Sequence, residues 1–266
     1  MTAPAGVVAL LTDFGLKDHY VGVMKGVILS VNPQARLIDI SHDVSSQDIL
    51  EAYFLLSNTY RYFPAGTIFV AVVDPDVGSD REILAVETGK YSFLAPDNGL
   101  LGFLEKDDSV QRVVQVRNDK YFLKPVSNTF HGRDIFAPVA GHLSLGVELS
   151  GLGPEAAGIR KIDAPTAKVT KEGRIVGEVV SIDHFGNLVT NIPGDHRLSQ
   201  ADSFELKIGK TSIRKLSASY ASAKEGEILA IVGSTGNLEV SVNKGNAQKK
   251  TGAKVGDVVR VLHSQK

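Results

Sequence analysis

Thr67-Ile68-Phe69-Val70-Ala71-Val72-Val73, running directly into Asp74-Pro75, is the stretch that decides the fold. Its apolar residues follow one another without alternation, the pattern of a strand covered on both faces. Upstream, Val7-Val8-Ala9-Leu10-Leu11-Thr12 has the same character and ends in the turn Asp13-Phe14-Gly15. Between these runs, Tyr20, Val23, Met24, Val27, Ile28 and Val31 recur at helical spacing, and Asn32-Pro33 stops the helix. Residues 36–40 read as a strand. Residues 48–63 read as a helix with Ile49, Ala52, Tyr53, Leu56 and Tyr60 on one stripe, closed by Pro64 and Gly66. Buried strands alternating with helices predict a mostly parallel sheet with helices on both faces. Downstream, residues 83–88 and 91–95 read as a hairpin joined by Gly89-Lys90, and 134–145 as a further helix.

The rhythm changes after about Gly158. Residues 163–173 are rich in Pro, Thr, Ala and Lys and read as a linker with an edge strand. Short strand-like runs follow at 175–183, 188–192, 203–208, 228–232, 238–242 and 258–262, separated by Gly, Asn and Lys clusters. That spacing predicts a small all-β barrel or sandwich. The expected class is therefore α/β: an N-terminal mixed, mostly parallel sheet domain over 1–165 and a small C-terminal all-β barrel domain over 166–266.

Composition narrows the function. The chain has 266 residues, 29 Lys and Arg against 30 Asp and Glu, and a net charge of −1. Without a basic surplus, a nucleic-acid or membrane-surface binder is not expected. No Cys occurs, so thiolate nucleophiles, disulfides and Cys-ligated metals are excluded. The apolar runs are far shorter than the ~20 residues of a membrane span, and the first residues do not read as a secretory signal. A cytoplasmic protein is the expectation.

In parallel sheets, ligands bind beyond the carboxyl ends of strands, where Asp13 and Asp74 fall. A carboxylate there can accept both hydrogen bonds of a ribose diol; turn formation or helix capping explains each Asp equally well. The segment 74–81 carries Asp74 and Arg81 in a loop stiffened by Pro75 and Gly78, a pattern also found in plain surface turns. Phe130-His131-Gly132-Arg133-Asp134 places an imidazole, a natural proton handler, before a predicted helix, where a cap or core role is the common one. Asp13-Phe14-Gly15 spells the kinase magnesium motif and His131 to Asp134 loosely echoes the kinase catalytic loop, but their order is reversed and no Gly-rich loop or paired strand Lys precedes them. Neither a P-loop nor a dinucleotide glycine fingerprint follows the first strand. Seven His are present without His-x-His or His-x-x-x-His spacing, so no metal site is predicted, although tertiary proximity of Asp13, Asp74 and His131 would make a metal-dependent hydrolase the alternative. In the C-terminal half, Asp183, Phe185 and Asn187 offer an acid, a ring and an amide suited to a purine, and Ser234, Thr235, Glu239 and Asn246 lie in further polar clusters; hairpin turns account for the same residues.

Taken together, these segments resemble the S-adenosylmethionine (SAM) hydroxide adenosyltransferase family, related to fluorinases and chlorinases. The resemblance runs from Leu10-Leu11-Thr12-Asp13-Phe14-Gly15 to Lys244-Gly245-Asn246-Ala247. Its most specific carriers are Val72-Val73-Asp74-Pro75, Val77-Gly78 with Arg81, Ala95-Pro96-Asp97-Asn98-Gly99, Thr129 to Asp134, and Asp183 to Asn191. The resemblance implies an α/β domain plus a β-barrel, and a homotrimer with substrate sites at subunit interfaces. It implies hydrolysis of SAM to adenosine and L-methionine by in-line attack of water or hydroxide at ribose C5′, without a cofactor. It makes Asp74, Arg81 and His131 the catalytic set and Asp13 the ribose acid. Asp183, Phe185 and Asn187 fall in the region for adenine and the methionine end. Ser234 falls on a methionine-carboxylate position, Glu239 on an ammonium partner, and Asn246 and Ala247 on a segment facing adenine. Thr235 stands where the halogenases have Arg, and Asp76 where Gly is usual, so strain or an altered field is expected beside Asp74. A non-catalytic adenosine-binding protein and a halogenase remain further alternatives.

Overall fold

The computed structural model describes residues 5–106, 109–194 and 203–264. The chain divides into two compact units, Met1–Asp163 and Ala164–Lys266.

The first unit is built on a six-stranded sheet of β1 (Val7–Thr12), β2 (Arg36–Ser41), β3 (Ile68–Val72), β4 (Ile83–Thr88), β5 (Ser92–Pro96) and β6 (Val110–Gln115). The spatial order is β2-β1-β3-β5-β4-β6. β1 pairs in parallel with β2 and β3, and β3 with β5, while β4 runs antiparallel to β5 and β6. The unbroken apolar runs have the predicted cause. Val8, Leu10, Val70 and Val72 enter one core with Met24 and Ile28 of α1 (Tyr20–Val31) and Val139, Ala140 and Leu143 of α3 (Ala137–Ser144). Ala9, Leu11, Phe69, Ala71 and Val73 enter a second core on the opposite face, with Ala52 and Leu56 of α2 (Ile49–Thr59). Successive strand side chains point to opposite faces, so neither face tolerates a polar residue. α2 starts where Asp48 accepts the Glu51 N–H at 2.9 Å, an N-cap worth about 1 kcal/mol. It ends at Thr59 and passes into a 3₁₀ turn, Tyr60–Tyr62, so the helix expected to reach 63 is shorter.

The second unit is an all-β, nearly closed barrel with strand order β11-β10-β15-β8-β9-β14-β13-β12, and the short edge strand β7 (Lys168–Val169) pairs with β8. Its long members are β8 (Ile175–Ile182), β9 (Leu188–Pro193), β10 (Ser203–Ile208), β13 (Ile228–Val232), β14 (Asn237–Val242) and β15 (Val258–Ser264); β11 (Thr211–Ile213) and β12 (Leu216–Ser217) are short. Alternating Val179, Leu188, Leu206, Leu238, Val240, Val259 and Val261 fill its interior, and a short helix, α4 (Ala247–Thr251), closes over Val242 through Ala247. Among the described residues, no helix is long and apolar enough to cross a membrane.

Candidate active site

Register places the two strand-end acids together. Thr12 lies opposite Val72 in the β1–β3 pair, so Asp13 and Asp74 leave the sheet at the same edge. The exit of β3 is pinned by Asn98, whose Nδ2 donates to the Val73 carbonyl at 2.8 Å. The loop then turns back through the Val77 and Ser79 amides, bonded to the carbonyls of Asp74 and Asp76. Gly78 has φ +84°, and a Cβ there would fall 2.3 Å from the Asn128 carbonyl oxygen. Only glycine lets this loop press against the segment that leads to His131.

Arg81 closes the loop. Its Nε donates to Asp74 Oδ1 and Oδ2 at 2.9 and 2.8 Å, and its Nη2 also donates to Oδ2. Both side chains are almost buried, at 8 % and 4 % exposure for Arg81 and Asp74. The same Nη2 lies 2.8 Å from His131 Nδ1. A guanidinium only donates, so Nδ1 is the acceptor and the neutral ring carries its proton on Nε2. Burial, and next the Arg81 charge, push the His131 pKa below its ordinary value, against the opposing pull of Asp74 and Asp134. The acid, guanidinium and imidazole thus form one bonded chain, although His131 lies 50 residues from Arg81 in sequence.

His131 opens a five-residue π-helical turn, Gly132–Phe136, that precedes α3. The regular helix expected over 134–145 is confined to Ala137–Ser144. Pro138 has no N–H to give the Asp134 carbonyl, which instead accepts from Leu123 N at 2.8 Å. The Asp134 carboxylate, fully buried, accepts from Ser127 N at 2.8 Å and from Arg133 Nε and Nη2 at 2.6 and 2.9 Å. Burial alone would raise its pKa, but these bonds and the Arg133 and His131 charges hold it below the usual carboxylate range. Asp134 therefore ties the 127–131 loop to the turn and fixes the backbone that aims His131. Its part in the site was not read from sequence, although it sits in the quoted motif.

A hollow of about 160 Å³ opens beside this chain, lined by Phe14, Tyr20, Val72, Asp74, Val77, Thr129, Phe130, His131 and Gly132. Apolar cavities of about that volume admit one six-membered ring. Phe14, Tyr20 and Phe130 form its aromatic wall, with Tyr20 edge-on to Phe130 at 5.1 Å between centroids. Arg81 lines a different cavity, of about 200 Å³, together with Ser79, Asp80, Glu82, Gln115 and Arg117; His131 borders both.

Asp13 is half-buried, and its Oδ2 accepts from Gln47 N at 2.8 Å. Gln47 has φ +67°, a costly conformation for a non-glycine residue that this bond helps to hold. Behind Asp13, buried His42 bonds Thr12 Oγ1 through Nδ1 at 2.8 Å, its carbonyl accepts the Gly15 N–H, and its Nε2 lies 3.0 Å from Asp39 Oδ1, poorly angled for a hydrogen bond. Sequence reading missed both Gln47 and His42; a His at the end of the strand parallel to β1 was the available signal for the second. Asp76 is exposed and absent from the positive-φ residues, so its backbone carries none of the strain expected from replacing a glycine.

In the barrel unit, Asp183 Oδ1 accepts the Phe185 and Asn187 amides, both at 2.9 Å, and its Oδ2 accepts from Asn187 Nδ2 at 2.8 Å. This closed turn presents Phe185, 70 % exposed. Gly186, with φ +83°, packs on the Asn246 side chain, where a Cβ would come within 2.1 Å. Asn246 caps α4 by accepting from Lys249 N at 2.7 Å. Ala247 is fully buried in the barrel core, where its side chain packs beneath the turn, so a ligand could meet this residue only through its backbone. Ser234 and Thr235 are exposed in the β13–β14 turn. Glu239 is buried, and its Oε1 accepts from Tyr220 Oη at 2.8 Å and Ser241 Oγ at 2.5 Å. Burial, then the Glu239 bond and charge and the Asp183 charge, push the Tyr220 pKa up to about 12, which places Asp183 within electrostatic reach of this pair. Tyr220 gave no sequence signal, being a lone aromatic in a polar stretch.

Among the described residues, no group of three or more His, Asp or Glu side chains is placed to hold a metal ion. The Arg81 guanidinium occupies the space between Asp74 and His131, where a cation sharing both would have to sit.

A buried acid–guanidinium–imidazole chain beside a ring-sized hollow, at the carboxyl ends of parallel strands, defines a small-molecule enzyme site of the α/β type. The family profiles for the SAM hydroxide adenosyltransferase N-terminal and C-terminal domains match residues 8–153 and 177–260. The chain is 36% identical over 262 residues to a Thermus thermophilus protein named (R)-S-adenosyl-L-methionine hydrolase, covering 96% of this chain and 99% of that one. A Methanocaldococcus jannaschii protein of the same name is 34% identical over 269 residues, covering 97% and 96%. A fluorinase from Actinopolyspora mzabensis is 26% identical, covering 97% of each chain. The crystal structure of an uncharacterized conserved protein from Thermotoga maritima superposes with a TM-score of 0.89 at 36% identity, covering 96% of this chain and 99% of that one. This chain belongs to the SAM hydroxide adenosyltransferase family.

Proposed function

We propose that this protein hydrolyses SAM to adenosine and L-methionine, with Asp74, Arg81 and His131 as the catalytic set. The observation that carries the reading is the Arg81 bridge, bonded to both Asp74 and His131, which themselves line the ring-sized hollow. The relatives' names specify the R epimer, and we extend that preference to this chain.

The leaving group is a neutral thioether, so departure needs no general acid. The barrier lies in presenting an oxygen with hydroxide character to C5′ opposite the sulfur. Asp74 faces the hollow and can accept a hydrogen bond from the attacking water, and Arg81 stabilises the hydroxide character that the water gains as its proton passes to neighbouring solvent. His131 has its Nδ1 lone pair committed to Arg81, so in this arrangement it steadies the guanidinium and offers Nε2–H; it does not take the water's proton. An anionic oxygen meeting a sulfonium cancels charge in the transition state, which an apolar hollow favours over bulk water. Asp13 has one oxygen held by Gln47 and one left for the ribose diol, which fixes the line of attack.

A hollow for one ring accommodates the ribose and not the whole substrate. We assign the rest of the nucleoside to Asp183, Phe185, Asn187 and Asn246, and the methionine end to Ser234 and Glu239, brought up by a neighbouring subunit of a homotrimer. A charged sulfonium does not cross a bilayer unaided, so the enzyme works where SAM is made, in the cytoplasm.

The test is product analysis. Purified protein supplied with each sulfonium epimer and no added metal is expected to release adenosine and methionine, from the R form, at a rate unaffected by chelator. A protein that binds adenosine and never turns SAM over would refute the proposal. Activity abolished by chelator would select a metal-dependent hydrolase, and a 5′-halonucleoside formed with chloride or fluoride a halogenase. Sedimentation tests the trimer.

A further inference from the structure

The cavity of about 200 Å³ on the far side of Arg81 and His131 is polar where the substrate hollow is aromatic. The two share a border at His131, which lines both and whose Nδ1 is joined to Arg81, a lining residue of the rear one. Arg81 Nε and Nη2 are committed to Asp74 and His131, whereas its two Nη1 hydrogens take no partner among the described residues.

The rear cavity carries no positive surplus: with Asp74 counted, three carboxylates surround two guanidiniums. Asp80 and Glu82 stand against Arg81 and Arg117; Glu82 Oε1 accepts from Arg117 Nη2 at 2.9 Å, and Oε2 accepts from Gln115 Nε2 at 2.8 Å. Arg81 is neutralised by Asp74. A wall of this kind gives an anion no net attraction, but it offers donors and acceptors to a neutral, hydrogen-bonding molecule. The volume holds several waters.

Resting on the hydrolase reading, we infer that this rear cavity is the water chamber of the reaction, supplying the attacking water past Arg81 and His131 and receiving the released proton. In-line displacement requires the nucleophile on the side of C5′ away from sulfur, and a seated nucleoside plugs the front entrance. In the step itself the water oxygen forms its bond to C5′ as C5′–S breaks. The bonding pair stays on sulfur to give neutral methionine, and the surplus proton passes to chamber water bordered by the Asp80 and Glu82 carboxylates.

The experiment fills the chamber without touching the substrate hollow. Gln115→Trp plugs it from β6, and Ser79→Leu from the exposed turn on the opposite wall. Each is assayed for kcat and KM with SAM, for adenosine affinity by calorimetry, and for the acid limb of its pH–rate profile. The expected result is a kcat lowered about tenfold or more, with KM, adenosine affinity and the acid limb unchanged. An unmoved acid limb shows that Arg81 still holds His131, which separates loss of water supply from a displaced guanidinium. Wild-type kcat in either variant that still binds adenosine overturns the inference; if Gln115→Trp does not fold, Ser79→Leu decides alone. A wild-type protein without turnover overturns the hydrolase reading instead, so the two failures are distinguishable.

Discussion

Replacing Arg81 by lysine tests whether the bridge, rather than a positive charge as such, drives the reaction. Arg81 reaches Asp74 through Nε and Nη2 and His131 through the second Nη2 hydrogen at 2.8 Å. A lysine carries its charge on one atom and cannot hold a two-pronged grip on the carboxylate while also reaching the imidazole. It keeps one contact with Asp74 and gives up two charge-assisted hydrogen bonds. Each is worth about 1.5–3 kcal/mol, and the retained charge argues for the low end, so the loss is about 3 kcal/mol. If that energy is realised only in the transition state, kcat falls roughly a hundredfold. Initial rates of adenosine formation at saturating SAM read the change, and calorimetry with adenosine checks that the hollow is intact. A kcat within about threefold of wild type, with adenosine affinity preserved, refutes the bridge as the source of rate.

The pH dependence follows from His131. Its depressed pKa keeps the ring neutral in the folded protein where the unfolded chain has begun to take up a proton, so the associated stability is complete above the ordinary value of 6.5 and is lost as pH falls below it. Protonation also sets an N–H against the Arg81 guanidinium, so the acid limb of kcat is expected below pH 6.5, and His131→Asn should abolish that limb; a limb unchanged in the variant argues against this origin. Gly78→Ala drives a methyl to 2.3 Å from the Asn128 carbonyl at φ +84° and should cost about 1–3 kcal/mol in a denaturant titration, with kcat falling as the loop shifts. Tyr220→Phe leaves Glu239 Oε1 with Ser241 alone and should raise KM for SAM about fivefold, near 1 kcal/mol, with kcat unchanged; an unchanged KM detaches Glu239 from the methionine end.

The central strands were legible because burial on both faces leaves no room for alternation: Val7–Thr12 was read at its observed bounds, and Ile68–Val72 to within a residue. β6 was missed because Gln111, Arg112 and Gln115 interrupt its apolar residues at an edge of the sheet. The last three residues of the 132–136 turn were read as the start of a regular helix because a π turn has near-helical spacing, and only the clash of Pro138 with a normal ladder betrays it. At the site, Asp74 was nameable as a strand-end acid, Arg81 as a loop guanidinium and His131 as an imidazole before a helix, and the resemblance joined them, but nothing in their spacing reveals that Arg81 donates to Nδ1. That bond decides the tautomer, and with it whether the imidazole is a base. Tyr220 and Gln47 were invisible because their partners, Glu239 and Asp13, are distant in sequence and the contacts depend on register and on one left-handed backbone angle.

The double-sided core also bears on how the chain is made. β1 and β3 leave the ribosome long before α3, yet α3 covers part of their shared face. Until synthesis passes residue 144, that greasy surface has an incomplete roof, and chaperone capture or premature self-association competes with docking. Truncations ending before α3 should accordingly be found in inclusion bodies, whereas the α/β unit carried through Asp163 has every helix its sheet requires.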